Sequence, residues 1–266
     1  MKDTTERLSP ERTRTVEERV IDAMHRFAYT TVKDYAKPTD RLLEIGFGEG
    51  YGAEIVESWV GEYVGVEVEP QAVAHATEKY GRPTVSFVHY DGVRLPYDDA
   101  SFDLVIAFQV LEHVPDPDAF LREARRVTRS GRCVLIVTPN RNHRVRDGER
   151  PWNRYHVREF SPGELDAVMR NVFESFQIFG IHGSPEMKEI EKNRVARARK
   201  LARLDPFGLR YVLPEGFDSR LRTLLRRRQT AGGVSSAESQ IGVEHVRRAS
   251  EDVDGSLDLL AVGQLS

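Results

Sequence analysis

After fifteen largely polar residues the chain falls into a repeat: Val16, Val20, Met24, Phe27, Ala28 and Tyr35 recur at three and four, lining one helix face. Pro38 is expected to stop that helix. Beyond it, apolar runs alternate with helix-like stretches: "LLEIG", "YVGVEV", "VSFVHY", "FDLVIAF" and "RCVLIVTP". Strand and helix alternating at this period predict a parallel sheet covered on both faces. In "VPDPDAFLREARRVTRSG" Asp116 suits a helix N-cap, Pro117 the first helical position and Gly131 the end. "SPGELDAVMRNVF" starts a helix in the same way at Ser161 and Pro162, and leads into the strand-like "FESFQIFGI".

The pattern changes at Pro185. Residues 185–228 carry thirteen Lys or Arg against six Asp or Glu, on two helix-like pieces separated by "DPFGLRYVLPEG". Leu201, Leu204, Leu209, Leu213, Leu221, Leu224 and Leu225 give these pieces something to pack with, as a lid or a subunit contact. Residues 229–255 lack apolar periodicity and are expected to form a mobile loop. "SLDLLAVGQL" then returns as a strand. The division that follows is a core of residues 1–184 plus 256–266, with a helical, basic insertion at 185–255.

Length and composition add limits. At 266 residues and 39% hydrophobic content the chain forms one large domain or two small ones. A formal net charge of -3 gives no global argument for binding a polyanion. No apolar run reaches membrane-spanning length and the first residues lack the apolar centre of a signal peptide, so a cytoplasmic place is expected. Cys133, the only cysteine, sits inside "CVLIV" and reads as a buried structural thiol.

The candidate chemistry begins at "LLEIGFGEGYGAEIV", where four glycines crowd seven positions directly after a strand. Glycine there lets backbone approach a ligand and adopt positive φ. Two registers fit: Gly48, Gly50 and Ala53 match the dinucleotide pattern, while Glu44, Gly46, Gly48 and Gly50 match E-x-G-x-G-x-G. A carboxylate at the strand end repels a pyrophosphate and attracts an ammonium or sulfonium, so Glu44 favours a cationic ligand. Glu67, at the end of "YVGVEV", can accept both hydroxyls of a ribose whichever ligand binds.

"LLEIGFGEG", "VGVEVEPQAV", "FVHYDGVRLPYDDASFDLVIAFQVLEHVPDP" and "FLREARRVTRSGRCVLIVTPN" together resemble, in order and spacing, the signature segments of class I S-adenosylmethionine-dependent methyltransferases. The resemblance spans roughly residues 40–183 and the last strand. It implies a Rossmann-like, seven-stranded α/β sheet with helices on both faces, its last strand antiparallel and the insertion lying just before that strand. It also implies that Glu44, Gly46, Phe47, Gly48 and Gly50 face the methionine end of S-adenosyl-L-methionine, that Glu67 and Val68 serve the ribose, that Asp91 and Gly92 serve the adenine, and that Gln109 lines the methionyl pocket. Gly52 reads as helix packing and Asp103 as a local cap.

Methyl transfer needs a nucleophile held in line with an activated donor, and a base only where a hydroxyl must lose its proton. The candidates for that work are His113, Tyr155 and His156, with His143 and Trp152 nearby in sequence. "LEHV" with a later His before "REF" resembles methyltransferases of the ubiquinone and small-RNA 3'-end types that bind a divalent metal through two acids and histidines. Gln109 stands where those enzymes have the first acid, so no metal is expected, and Glu112, His113 and His156 are the residues that would hold one. The expected enzyme O-methylates a small acceptor, a sugar, lipid-linked or secondary metabolite that an anionic group would suit to the basic insertion. It would act as a monomer or homodimer. An RNA methyltransferase, a nicotinamide oxidoreductase and a non-catalytic cofactor binder are the alternatives; the absence of aromatic interleaving in the basic stretch argues against nucleic acid.

Overall fold

The computed structural model describes residues 15–145, 149–153, 155–203 and 241–266. Helix α1 (Val16–Thr31) starts at a capping box in which Thr15 and Glu18 exchange hydrogen bonds. It ends seven residues before Pro38; a 3-10 turn at Val32–Asp34 carries the chain on, so the proline is not what stops it. There follow β1 (Arg41–Ile45), α2 (Gly52–Val56), β2 (Glu62–Glu67), α3 (Pro70–Tyr80), β3 (Val85–His89), β4 (Phe102–Phe108), α4 (Pro117–Val127) and β5 (Thr128–Pro139). The second half adds α5 (Arg141–Arg144), α6 (Pro162–Arg170), β6 (Ser175–Gly183), α7 (Pro185–Arg203), β7 (Val246–Ala249) and β8 (Asp258–Gln264).

The strands form one sheet in the order β3-β2-β1-β4-β5-β8-β6-β7. β1 to β5 pair in parallel; β8 runs antiparallel to both β5 and β6. The sheet therefore has eight strands where seven are expected. The extra one, β7, pairs with β6 in the stretch read as part of a mobile loop, where Val246 supplies the one buried apolar side chain and Arg248 stacks on Phe179. Residues 204–240, with the whole of the second basic piece and six of the seven leucines named above, lie outside the described residues.

Successive strand residues point to opposite faces and feed two cores. Leu42, Tyr63, Leu104, Ile106, Leu135 and Val137 join α1, α2 and α3 on one side. Leu43, Val64, Val105, Ala107, Val134 and Ile136 join α4 and α6 on the other. Strands buried on both faces read as continuous apolar runs, which is why the central ones stand out in the sequence. Asp116 and Ser161 cap α4 and α6 as expected, accepting from Ala119 and Glu164 amides. Gly131 does not terminate α4: that helix ends at Val127, and Gly131, at φ +74°, lies inside β5 where its pairing with β4 shifts register. Among the described residues no helix is long and apolar enough to cross a membrane.

The strand order reverses between β1 and β4, so the loops after these two strands open the crevice where open α/β sheets take ligands.

Candidate active site

On the β1–β3 side of the crevice the site is made of backbone. Gly46, Gly48 and Gly50 have φ of +77°, +61° and +83°, a region L-residues with side chains rarely enter. A Cβ on Gly46 would sit 2.6 Å from Val110, and one on Gly50 2.7 Å from Ala76, whereas the apex at Gly48 faces open space. The loop is pinned by its own amides: Gly46 N donates to Val66 O (2.8 Å), Gly48 N to Glu67 Oε2 (3.1 Å) and Gly50 N to Phe47 O (3.0 Å). Glu67 also accepts from the Val68 amide (2.8 Å), so its carboxylate is oriented at the end of β2. Beside it, Val68 and Val93 are exposed apolar side chains, and a Cβ on Gly92 would approach Val68. Asp91 is exposed and accepts from the Val93 and Arg94 amides, which hold its carboxyl below the usual range.

Two residues on this side are placed otherwise than expected. Phe47 is turned into the core, its ring edge-on to Phe87 at 4.8 Å, so only its backbone remains on the loop. Glu44 does not face the crevice as a bare charge: it is buried, with one oxygen accepting from Tyr29 Oη (2.6 Å) and the other from Tyr63 Oη. Burial raises its pKa to about 7 against the opposing pull of the two phenols, with Glu67 adding to the rise. Gly52 does serve packing, since the Tyr29 ring fills the space a side chain would need.

On the β4, β5 and β8 side the site is made of charged side chains. Gln109, at φ +57°, closes β4 by donating its amide to Val137 O (2.7 Å), and its Nε2 reaches Asp258 Oδ2 at 3.3 Å. Asp258 is the first residue of β8; because that strand runs antiparallel, its beginning meets the carboxyl ends of the others. Burial raises its pKa to about 7; Arg144 opposes the rise and Glu191 and Glu112 reinforce it.

Glu112, fully buried, accepts from Thr138 Oγ1 (2.9 Å), and burial raises its pKa while His156 and His113 pull it down. His113 Nδ1 lies 3.0 Å from Tyr155 O and His156 Nδ1 2.7 Å from Glu159 Oε1. The two imidazoles meet edge to face at 4.9 Å, and one ligand atom from each of Glu112, His113 and His156 lies within 4.8 Å of the others. Glu159 also faces Arg144 Nε (3.1 Å), and Trp152 lies between the guanidiniums of Arg144 and Arg194, each 5.0 Å from its ring. From α1, His25 approaches Tyr51 (3.4 Å); burial, then Arg144, lowers its pKa to about 4, so it is neutral at pH 7.

A sequence profile described as "Methyltransferase domain" matches residues 43–136, the span from β1 through most of β5. A probable S-adenosylmethionine-dependent methyltransferase of Mycobacterium tuberculosis is 29% identical over 223 residues, 83% of this chain and 75% of that one. Residues 43–136 thus form a methyltransferase domain, and over most of its length the chain is similar to S-adenosylmethionine-dependent methyltransferases. A tocopherol O-methyltransferase of Arabidopsis thaliana is 30% identical over 125 residues, 45% of this chain and 36% of that protein. Among solved structures, a SAM-dependent methyltransferase of Thermotoga maritima superposes with a TM-score of 0.55 over 91% of each chain at 19% identity, a likeness of fold. The family excludes the nicotinamide reading of the glycine loop, and S-adenosylmethionine is the cofactor.

The methyltransferase thus brings together most candidates read from sequence: Glu67, Val68, Asp91 and Gly92 at neighbouring strand ends, and Glu112, His113, Tyr155 and His156 across the crevice. His143 stands apart, half-buried beside the Gly255 turn, where burial lowers its pKa. Tyr29, Tyr63, His25, Arg144, Glu159, Glu191 and Asp258 were not found in the sequence. Asp258 alone left a signal there, as the single acid in an otherwise apolar strand. The basic character of α7 is partly spent within the fold: Arg194 pairs with Glu191, Arg197 with Glu17, Lys192 with Glu189, and Lys188 Nζ donates to Gly255 O.

Proposed function

We propose that this enzyme transfers the methyl group of S-adenosylmethionine to a hydroxyl oxygen of a small acceptor, a lipid-linked, saccharide or secondary metabolite. The observation that carries the reading is the cluster of buried carboxylates facing the donor crevice, above all Asp258 beside Gln109. An amine acceptor needs only to arrive unprotonated, whereas a hydroxyl must give up a proton as it attacks, and a buried acid titrating near neutrality suits that task.

The cofactor supplies a methyl carbon already activated by a sulfonium. Backbone around Gly46, Gly48 and Gly50 would hold its methionine end, Glu67 the ribose, Asp91, Gly92 and Val68 the adenine, and Gln109 the side of the pocket nearest the acceptor. Asp258, or His113 or His156, would take the acceptor proton as the oxygen–carbon bond forms; the carbon–sulfur pair stays on sulfur, leaving S-adenosylhomocysteine. Tyr155 and Trp152 would border the acceptor and exclude water. Incubation with methyl-labelled S-adenosylmethionine and fractionated lipid and saccharide extracts tests the reading. Label in a methyl ether supports it; label confined to methyl esters, amines or RNA overturns it.

A second reading rests on the convergence of Glu112, His113 and His156. Those three could hold a divalent cation and leave positions for acceptor oxygens. Dialysis against chelator followed by stoichiometric Mn²⁺ titration tests it: restored transfer supports metal use, and turnover unaffected by chelator removes it.

A further inference from the structure

The glycine signature does not account for the two tyrosines on Glu44. Tyr63 belongs to β2, but Tyr29 comes from α1, outside the matched residues 43–136. Its ring is wedged edge-on between Tyr51 (5.6 Å) and Phe108 (5.2 Å), crosses the bare backbone of Gly52, and ends with its hydroxyl on Glu44 Oε1. A buried carboxylate directly beneath the donor loop therefore has one oxygen held by the core and the other by a helix that docks from outside it. One turn earlier on the same face, His25 meets Tyr51, and Glu17 of the same helix pairs with Arg197 of α7.

We propose that Tyr29 is a positioning residue of the donor site, resting on the assignment of the glycine loop to S-adenosylmethionine: its hydroxyl orients Glu44 and favours its ionised form, so donor binding depends on docking of α1 and on pH. The described groups that act on Glu44 are Tyr29 from α1 and Tyr63 and Glu67 from β2; Tyr51, beside α2, is coupled to it in turn. The phenols favour the anion, while burial and Glu67 favour the neutral acid. A ligand carrying sulfonium and ammonium groups binds better to the anion. Affinity should therefore rise with pH through neutrality and level off above it, and loss of the Tyr29 hydroxyl should shift that rise to higher pH.

Calorimetric titration of S-adenosylmethionine at pH 6, 7 and 8 into wild type, Tyr29→Phe and Glu44→Gln tests this. Wild type should gain affinity with pH. Tyr29→Phe should bind about tenfold more weakly at pH 7, the loss expected of a hydrogen bond to a charged group, and its profile should move alkaline. Glu44→Gln, which keeps the shape and an acceptor oxygen, should bind with no pH dependence. Tyr29→Phe with wild-type affinity and profile overturns the proposal. Should Tyr29→Phe fail to unfold cooperatively, Glu44→Gln decides: a wild-type pH profile in that variant overturns it equally. Wild type that binds no donor at any pH instead overturns the donor-site assignment itself.

Discussion

The two sides of the crevice are built from different materials. The β1–β3 side is backbone: three glycines at positive φ, amides turned onto Val66 and Glu67, and hardly a charge that is not oriented by a neighbouring N–H. The β4–β8 side is side chains: buried Glu112, Glu159, Glu191 and Asp258 set against Arg144 and Arg194, drawn from loops, α5, α7 and β8. A backbone site serves one constant ligand and tolerates no side chain. A side-chain site can be rebuilt around another acceptor by changing loops, at the cost of holding charges out of water.

That contrast can be broken by substitution. The largest effect is expected at Gly50→Val, which adds backbone strain of about 1–3 kcal/mol and a clash with Ala76. Titration with S-adenosylhomocysteine should show affinity reduced by more than about a hundredfold, and near-normal binding would mean the loop is not the donor cradle. Next comes Asn140→Ala on the other side. Asn140 Nδ2 donates to the carbonyls of Val253, Asp254 and Ser256, fixing the turn that delivers Asp258. Losing it should lower stability by about 3 kcal/mol in denaturant unfolding; a change near zero would show that the turn is held otherwise.

Asp258→Asn sharpens the comparison through pH. The folded pKa of Asp258 is raised above its unfolded value, so its contribution is fully present below about pH 4 and is lost as pH rises towards about 7. Wild-type stability should fall across that window, and Asp258→Asn should remove on the order of 2 kcal/mol of the fall. An unchanged slope in thermal melts would mean the carboxyl is better solvated than its burial implies. The smallest effect is expected at Asp116→Ala, which removes the side-chain N-cap of α4; it should cost about 1 kcal/mol and leave donor affinity alone.

The same contrast explains what could be read in the sequence. The donor side is local: a strand, a turn and a helix within fifteen residues, so Gly46, Gly48 and Gly50 announce themselves, and Glu67 follows at a fixed distance. The central strands were legible because burial on both faces makes them apolar throughout. Glu44 was visible, but its burial was not, because nothing in "LLEIG" reveals that Tyr29 and Tyr63 will seal it inside. On the acceptor side, Arg144, Glu159, Glu191 and Asp258 lie more than a hundred residues apart at the extremes and meet only through the sheet order. Strand β7 was missed because a four-residue strand with one buried apolar side chain leaves little periodicity to detect.

The most direct measurement is a titration of S-adenosylhomocysteine into wild type, Gly50→Val and Asp258→Asn under one set of conditions. Separate construction of the two sides requires wild type and Asp258→Asn to bind alike, one ligand per chain, while Gly50→Val binds more than about a hundredfold more weakly. Retained binding in Gly50→Val, or an equal loss in Asp258→Asn, would contradict it.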